Sequence, residues 1–104
     1  MAPLVPIILA ALAGFTLGAI VVVLILKWKD IINWFRNRQK LKESDKANIA
    51  FTLQERLKNG NYKTIKGIFN KRTDEILDAE AVKSERIDNK LAKAHEDNDL
   101  VIYE

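Results

Sequence analysis

Hydrophobic and polar positions divide this chain into an opening quarter that is apolar without a break and a remainder in which the two kinds alternate. Residues 4 to 26 run for 23 positions without a charged side chain and stop abruptly at Lys27, Trp28 and Lys29. A hydrocarbon layer of roughly 30 Å takes about 20 residues of helix at ~1.5 Å each, so the pattern predicts a transmembrane helix with some length to spare for tilt. Pro3 and Pro6 stand at its entry, where a missing N–H costs nothing. Ala11-Leu12-Ala13 has the small-x-small spacing of a signal-peptidase site, but no Lys or Arg precedes the run and at least as many apolar residues follow that triplet as precede it. A buried core helix is the other competitor, and the rest of the chain offers little apolar material to surround one.

Past Lys27 the pattern becomes amphipathic. Trp28, Ile31, Ile32 and Phe35 recur at helical spacing, with Lys29, Asn33, Arg36 and Lys40 on the opposite side. This predicts a juxtamembrane helical extension over residues 27 to 43. Ser44 or Asp45 then caps a helix over residues 46 to 59, where Ile49, Ala50, Leu53 and Leu57 recur at three and four and Asn59-Gly60-Asn61 ends the element.

From Tyr62 the period shortens to two. Ile65, Gly67 and Phe69 alternate with Thr64, Lys66 and Ile68, and a polar turn over residues 70 to 74 leads into Glu75-Ile76-Leu77-Asp78, which together read as a β-hairpin. Val82 lies out of phase with Ile87, Leu91 and Ala94, so the second strand is extended to Lys83 and a helix begins near Ser84 and ends around His95. Leu100-Val101-Ile102-Tyr103 has the character of a final strand. The expected fold is a single-pass transmembrane α-helix with an amphipathic juxtamembrane extension, followed by a small α+β (αββαβ) cytosolic domain. Its divisions are residues 1–26, 27–43 and 44–104.

Charge gives this arrangement a direction. The net charge of +3 conceals a gradient from +5 over residues 27–42, through +4 over 43–72, to −6 over 73–104. Positive charge beside the run predicts a short N-terminus outside and a cytosolic C-terminal domain, with anionic headgroups as partners of the basic segment. A bacterial plasma membrane fits best, and a thylakoid or organelle inner membrane obeys the same charge rule. The interface residues are then Lys27, Trp28, Lys29, Trp34, Arg36 and Arg38. Within the run, Ala10, Gly14 and Gly18 repeat at intervals of four, the spacing of a small-residue face on which another transmembrane helix packs.

Candidate chemistry is sparse. There is no cysteine, and the lone histidine, His95, stands beside Glu96, Asp97 and Asp99 without a second cluster to complete a metal shell. No phosphate loop, Ser/His/Asp set, dinucleotide fingerprint or nucleic-acid-binding motif occurs. The expectation is a protein without catalysis, cofactor, metal, small-molecule substrate or nucleic-acid partner, serving as an accessory, scaffold or assembly subunit. In this reading the span packs on another membrane protein and residues 45–104 recruit a soluble partner. The alternative is a self-associating protein whose oligomer, including a holin-like pore, is the functional object.

Overall fold

Gly14 cuts the apolar run in two. The computed structural model describes residues 4–103, so the tail Met1–Pro3, with the proline expected at the span entry, and Glu104 lie outside it. Leu4–Ala13 form helix α1, and Val21–Leu26 form strand β1. Leu and Ala dominate the first half and favour helix, whereas Val21-Val22-Val23 is a β-branched run that favours a pleated strand. A helix of ten residues is ~15 Å long, about half a hydrocarbon layer. Among the described residues no helix is long and apolar enough to cross a membrane.

The transmembrane helix expected over residues 4–26 is therefore overturned. With it go the juxtamembrane character of residues 27–43, the N-out/C-in single-pass topology and the placement in a bacterial plasma, thylakoid or organelle inner membrane. The physical reason is that a protein sheet hides the apolar run in two different ways. α1 lies over one face of the sheet, where Ile8 and Leu12 are buried among Phe51, Phe69 and Ala79. β1 joins the sheet itself, pairing in parallel with a later strand.

The remaining elements are α2 (Trp28–Arg36), α3 (Gln39–Glu43), β2 (Asn48–Arg56), β3 (Tyr62–Asn70), β4 (Glu75–Ile87), α4 (Asn89–Ala94) and β5 (Leu100–Tyr103). The strands form one mixed sheet in the order β1-β4-β3-β2-β5, antiparallel except for the β1–β4 pair. Ile31, Trp34 and Phe35 of α2 and Leu91 of α4 cover the face opposite α1, over Ala50, Ile68 and Val82. The architecture is an α+β fold of three layers. Its radius of gyration, 13.1 Å, matches the ~13 Å of a folded chain of this length.

Two further expectations change. Residues 46 to 59 are not a helix, because β2 is an inner strand flanked by β3 and β5 and buried on both faces. Ile49, Phe51 and Leu53 point toward α1 while Ala50 and Thr52 point the other way, an alternation that the helical stripe of Ile49, Ala50, Leu53 and Leu57 obscured. The expected helix from Ser84 begins only at Asn89. β4 continues to Ile87 because its second half, Val82 to Ile87, pairs with β1, the segment expected in lipid. The hairpin of β3 and β4 and the final strand β5 form where the pattern places them.

Asp88 joins α2 and α4 on the face opposite α1. One carboxylate oxygen accepts from Leu91 N–H at the start of α4, and the other accepts from Trp28 N–H at the start of α2, each at 2.9 Å. At the far end of the sheet, buried Asn48 and Asn70 hydrogen-bond to each other and, through Asp45, anchor the β3–β4 turn, whose Asp74 adopts a positive φ of 57°.

In mid-sheet, Gly67 sits between Phe51 and Ala79 in the ladder, and a methyl group there would approach the Phe51 ring to 2.7 Å. Gly67→Ala is expected to destabilise the fold by about 1–3 kcal/mol despite its better strand propensity, because the clash outweighs the entropy gained. Asp88→Ala should cost about 2 kcal/mol by removing two caps at once, and Asp88→Asn, with one acceptor oxygen, about half of that. Urea unfolding monitored through the two tryptophans measures both.

Candidate functional site

A chain of hydrogen bonds crosses the face beneath α4. Thr52 Oγ1 lies 2.8 Å from His95 Nε2 and 2.7 Å from the Tyr103 hydroxyl, and His95 Nδ1 lies 3.0 Å from the Asn98 carbonyl oxygen. The partners determine the direction of donation. A carbonyl can only accept, so Nδ1 carries the hydrogen and neutral Nε2 accepts from Thr52, whose oxygen accepts in turn from Tyr103. Burial of the ring pushes the His95 pKa below its ordinary 6.5, opposed by the Asn98 carbonyl and by Asp99. Burial likewise raises the Tyr103 phenol above its usual 10.0, opposed by the bond to Thr52.

A hydroxyl bonded to an imidazole whose other nitrogen is held by a carbonyl has the order of a nucleophile, base and orienting group. Its accessibility decides otherwise. Thr52 is fully buried at 0 % exposure, with its oxygen enclosed by His95 and Tyr103, so no substrate atom reaches it. The arrangement fastens the end of α4 and the strand β5 to β2. Trp28 and Phe35 close over it, their rings 5.4 Å and 5.1 Å from that of Tyr103.

The open edge of β1 is the feature that points outward. β1 bonds to β4 on one side only and ends the sheet. Its residues are apolar throughout, and Val22 is 74 % and Leu24 57 % exposed, with Ile20 just before them 51 % exposed. Natural edge strands are blunted by charge, proline, a bulge or brevity, and β1 carries no charge, proline or bulge over its six residues. Val22 and Leu24, together with Lys83 and Glu85 of β4, line a shallow groove along this edge. Ser84 lies in the same groove, its hydroxyl buried and without a hydrogen-bond partner.

The residues singled out by sequence are dispersed. Ala10 is exposed on α1, Gly14 follows its last turn and Gly18 lies in the link to β1, so the three do not share a helix. A methyl group at Gly18 would touch nothing within 4 Å. Lys27, Lys29 and Arg36 are exposed around α2, while Trp28 is half-buried beside Tyr103 with the Lys90 ammonium 5.2 Å from its ring. Trp34 is buried, with Arg38 stacked 3.7 Å from its ring centre and Arg38 paired to Asp78. Lys66, itself buried, bonds Glu80 at 3.0 Å, with its ammonium 5.6 Å from the centre of the indole.

The residues that sequence reasoning passed over are Thr52, Tyr103, Val22 and Leu24. For the last two a signal existed in the β-branched run of residues 21–23, which fits a strand better than a helix. For Thr52 and Tyr103 there was none, since their meeting depends on β5 pairing beside β2.

Fold and surface together define a small α+β protein with a closed polar interior and one unblunted apolar sheet edge. Comparison with protein-family models, with characterised proteins and with solved structures gives no match for this chain.

Thr52→Val should destabilise the fold by about 1–3 kcal/mol, because it leaves the buried side of His95 without its partner. The lowered His95 pKa means that the unfolded chain takes up the proton first, so the stability from this group is complete above pH 6.5 and is lost as pH falls through the folded-state value. The melting temperature should therefore decline from pH 7.5 toward pH 5, and His95→Gln should flatten that slope.

Proposed function

We propose that this protein is a non-catalytic association module, an accessory, scaffold or assembly subunit that engages a protein partner through the edge of β1. One observation carries the reading: Val22 and Leu24 stand exposed on an unpaired strand that carries no charge, proline or bulge. A strand in that condition offers a row of unpaired N–H and C=O groups beside apolar side chains, the two elements from which strand addition draws its affinity. The sealing of Thr52 supports the absence of catalysis, because it removes the best-ordered hydroxyl–imidazole pair from contact with any substrate.

The test is the native size of the full chain extracted under mild conditions from the cells that make it. A particle heavier than one chain is expected, and the double variant Val22→Lys with Leu24→Lys, folded by circular dichroism, should reduce it to a single chain. Extraction of the unaltered protein as a single chain would refute the reading.

A further inference from the structure

We infer that the partner of the β1 edge is a second copy of this chain, added antiparallel about a two-fold axis through Val23, so that one sheet runs through both protomers. This rests on the reading of β1 as an association edge and names its occupant.

Symmetry narrows the ways in which β1 can meet itself. Directly opposed residues of an antiparallel pair point to the same face, whereas neighbours along one strand point to opposite faces. A two-fold axis normal to the sheet must therefore pass through a residue that faces its own copy. Val23 and Leu24 give the longest overlaps within Val21–Leu26, five residues each, and centring on Val23 sets Val21 opposite Ile25 and Val22 opposite Leu24 of the second copy. The two most exposed apolar side chains of the strand then cover each other, twice over.

Charge agrees with that register. Val22 lies beside Lys83 in the β1–β4 ladder, and the register that pairs Val23 with Ser84 and Ile25 with Arg86 brings Leu24 beside Glu85. Across the proposed junction the row on this face reads Lys83, Val22, then Leu24 and Glu85 of the second copy, so each apolar pair is flanked by opposite charges. Centring on Val22 would instead flank the junction with two copies of Lys83, and centring on Leu24 would flank it with two copies of Glu85. Parallel pairing would bring Lys27, the residue that follows β1, beside its counterpart, whereas the antiparallel arrangement sends the two to opposite ends of the junction. The groove lined by Val22, Leu24, Lys83 and Glu85 is the space that the second β1 enters.

The chain has no cysteine, so a single introduced thiol reports on its own position. Opposed residues of an antiparallel pair have Cα atoms about 4.5–5.5 Å apart, within disulfide range. The purified full-length protein, at concentrations up to about 100 µM, is examined by size exclusion with light scattering. Single-cysteine variants at Val22, Val23 and Leu24 are then oxidised separately and in pairs. The expected mass is twice the 11.9 kDa of one chain. Val23→Cys should cross-link to itself, and Val22→Cys mixed with Leu24→Cys should give mainly the mixed disulfide. Val22→Lys with Leu24→Lys should weaken dimerisation at least 100-fold.

A purified protein that stays monomeric overturns the inference, as does cross-linking that is equal at all three positions. The two readings fail separately. A monomeric purified chain that forms a heavier particle with other proteins in native extract sinks the second copy and leaves the association edge standing, whereas a single chain in both settings sinks both.

Discussion

The parallel ladder between β1 and β4 is the constraint on which the rest of the fold depends. It is the one parallel pair in the sheet, and it draws an apolar segment from the start of the chain onto the far half of a strand that arrives some 60 residues later. Without β1, Val82 to Ile87 would be an unpaired edge, and Leu26 would lose its place in the core beside Ile31 and Leu91. The same ladder sends the chain from Leu26 directly into α2, whose first N–H is held by Asp88 at the end of β4. Strand pairing and helix capping thus converge at one corner, where Asp88 N–H also donates to the Leu26 carbonyl.

Two kinds of chemistry occupy the two faces. The α1 face is apolar, with Phe51, Phe69 and Ala79 under Ile8 and Leu12. The opposite face mixes a hydrophobic cluster with polar side chains that are paired: Thr52 with His95 and Tyr103, Gln54 with Thr64, and Lys66 with Glu80. Buried polar groups cost free energy unless they are satisfied, so these pairs restrict how β5 and α4 can dock. Like the Ser84 hydroxyl, the Trp34 indole departs from this rule. Its N–H is buried without a hydrogen-bond partner, while its ring is stacked against the Arg38 guanidinium.

Burial is uneven across the sheet, and this bears on association. At the β5 edge every strand residue is partly covered, and the strand is four residues long. At the β1 edge Val22 and Leu24 are the most exposed large apolar side chains among the described residues. α1 covers the middle of its face and leaves Val22 and Leu24 beyond its reach. A second β1 laid along this edge would bury those side chains and pair the free main-chain groups together, which no side-chain contact alone could do.

Local pattern was sufficient where an element is decided by its own residues. The period of two from Tyr62, the polar turn before Glu75 and the β-branched and aromatic run at Leu100 were all legible as strands, since a half-buried surface imposes alternation directly on the sequence. The amphipathic stripe of Trp28, Ile31 and Phe35 was legible as a helix for the same reason. Tertiary structure decided the elements whose solvent is the protein itself. An apolar run reads alike whether lipid or a sheet surrounds it, so the division of residues 4–26 into α1 and β1 follows only once β4 is present to pair with Val21–Leu26. β2, buried on both faces, carries apolar residues at spacings that also suit a helix, and only its neighbours β3 and β5 select the strand. The meeting of Thr52, His95 and Tyr103, and the exposure of Val22 and Leu24, are set by the order of strands, a property of pairing between distant segments that no local period encodes.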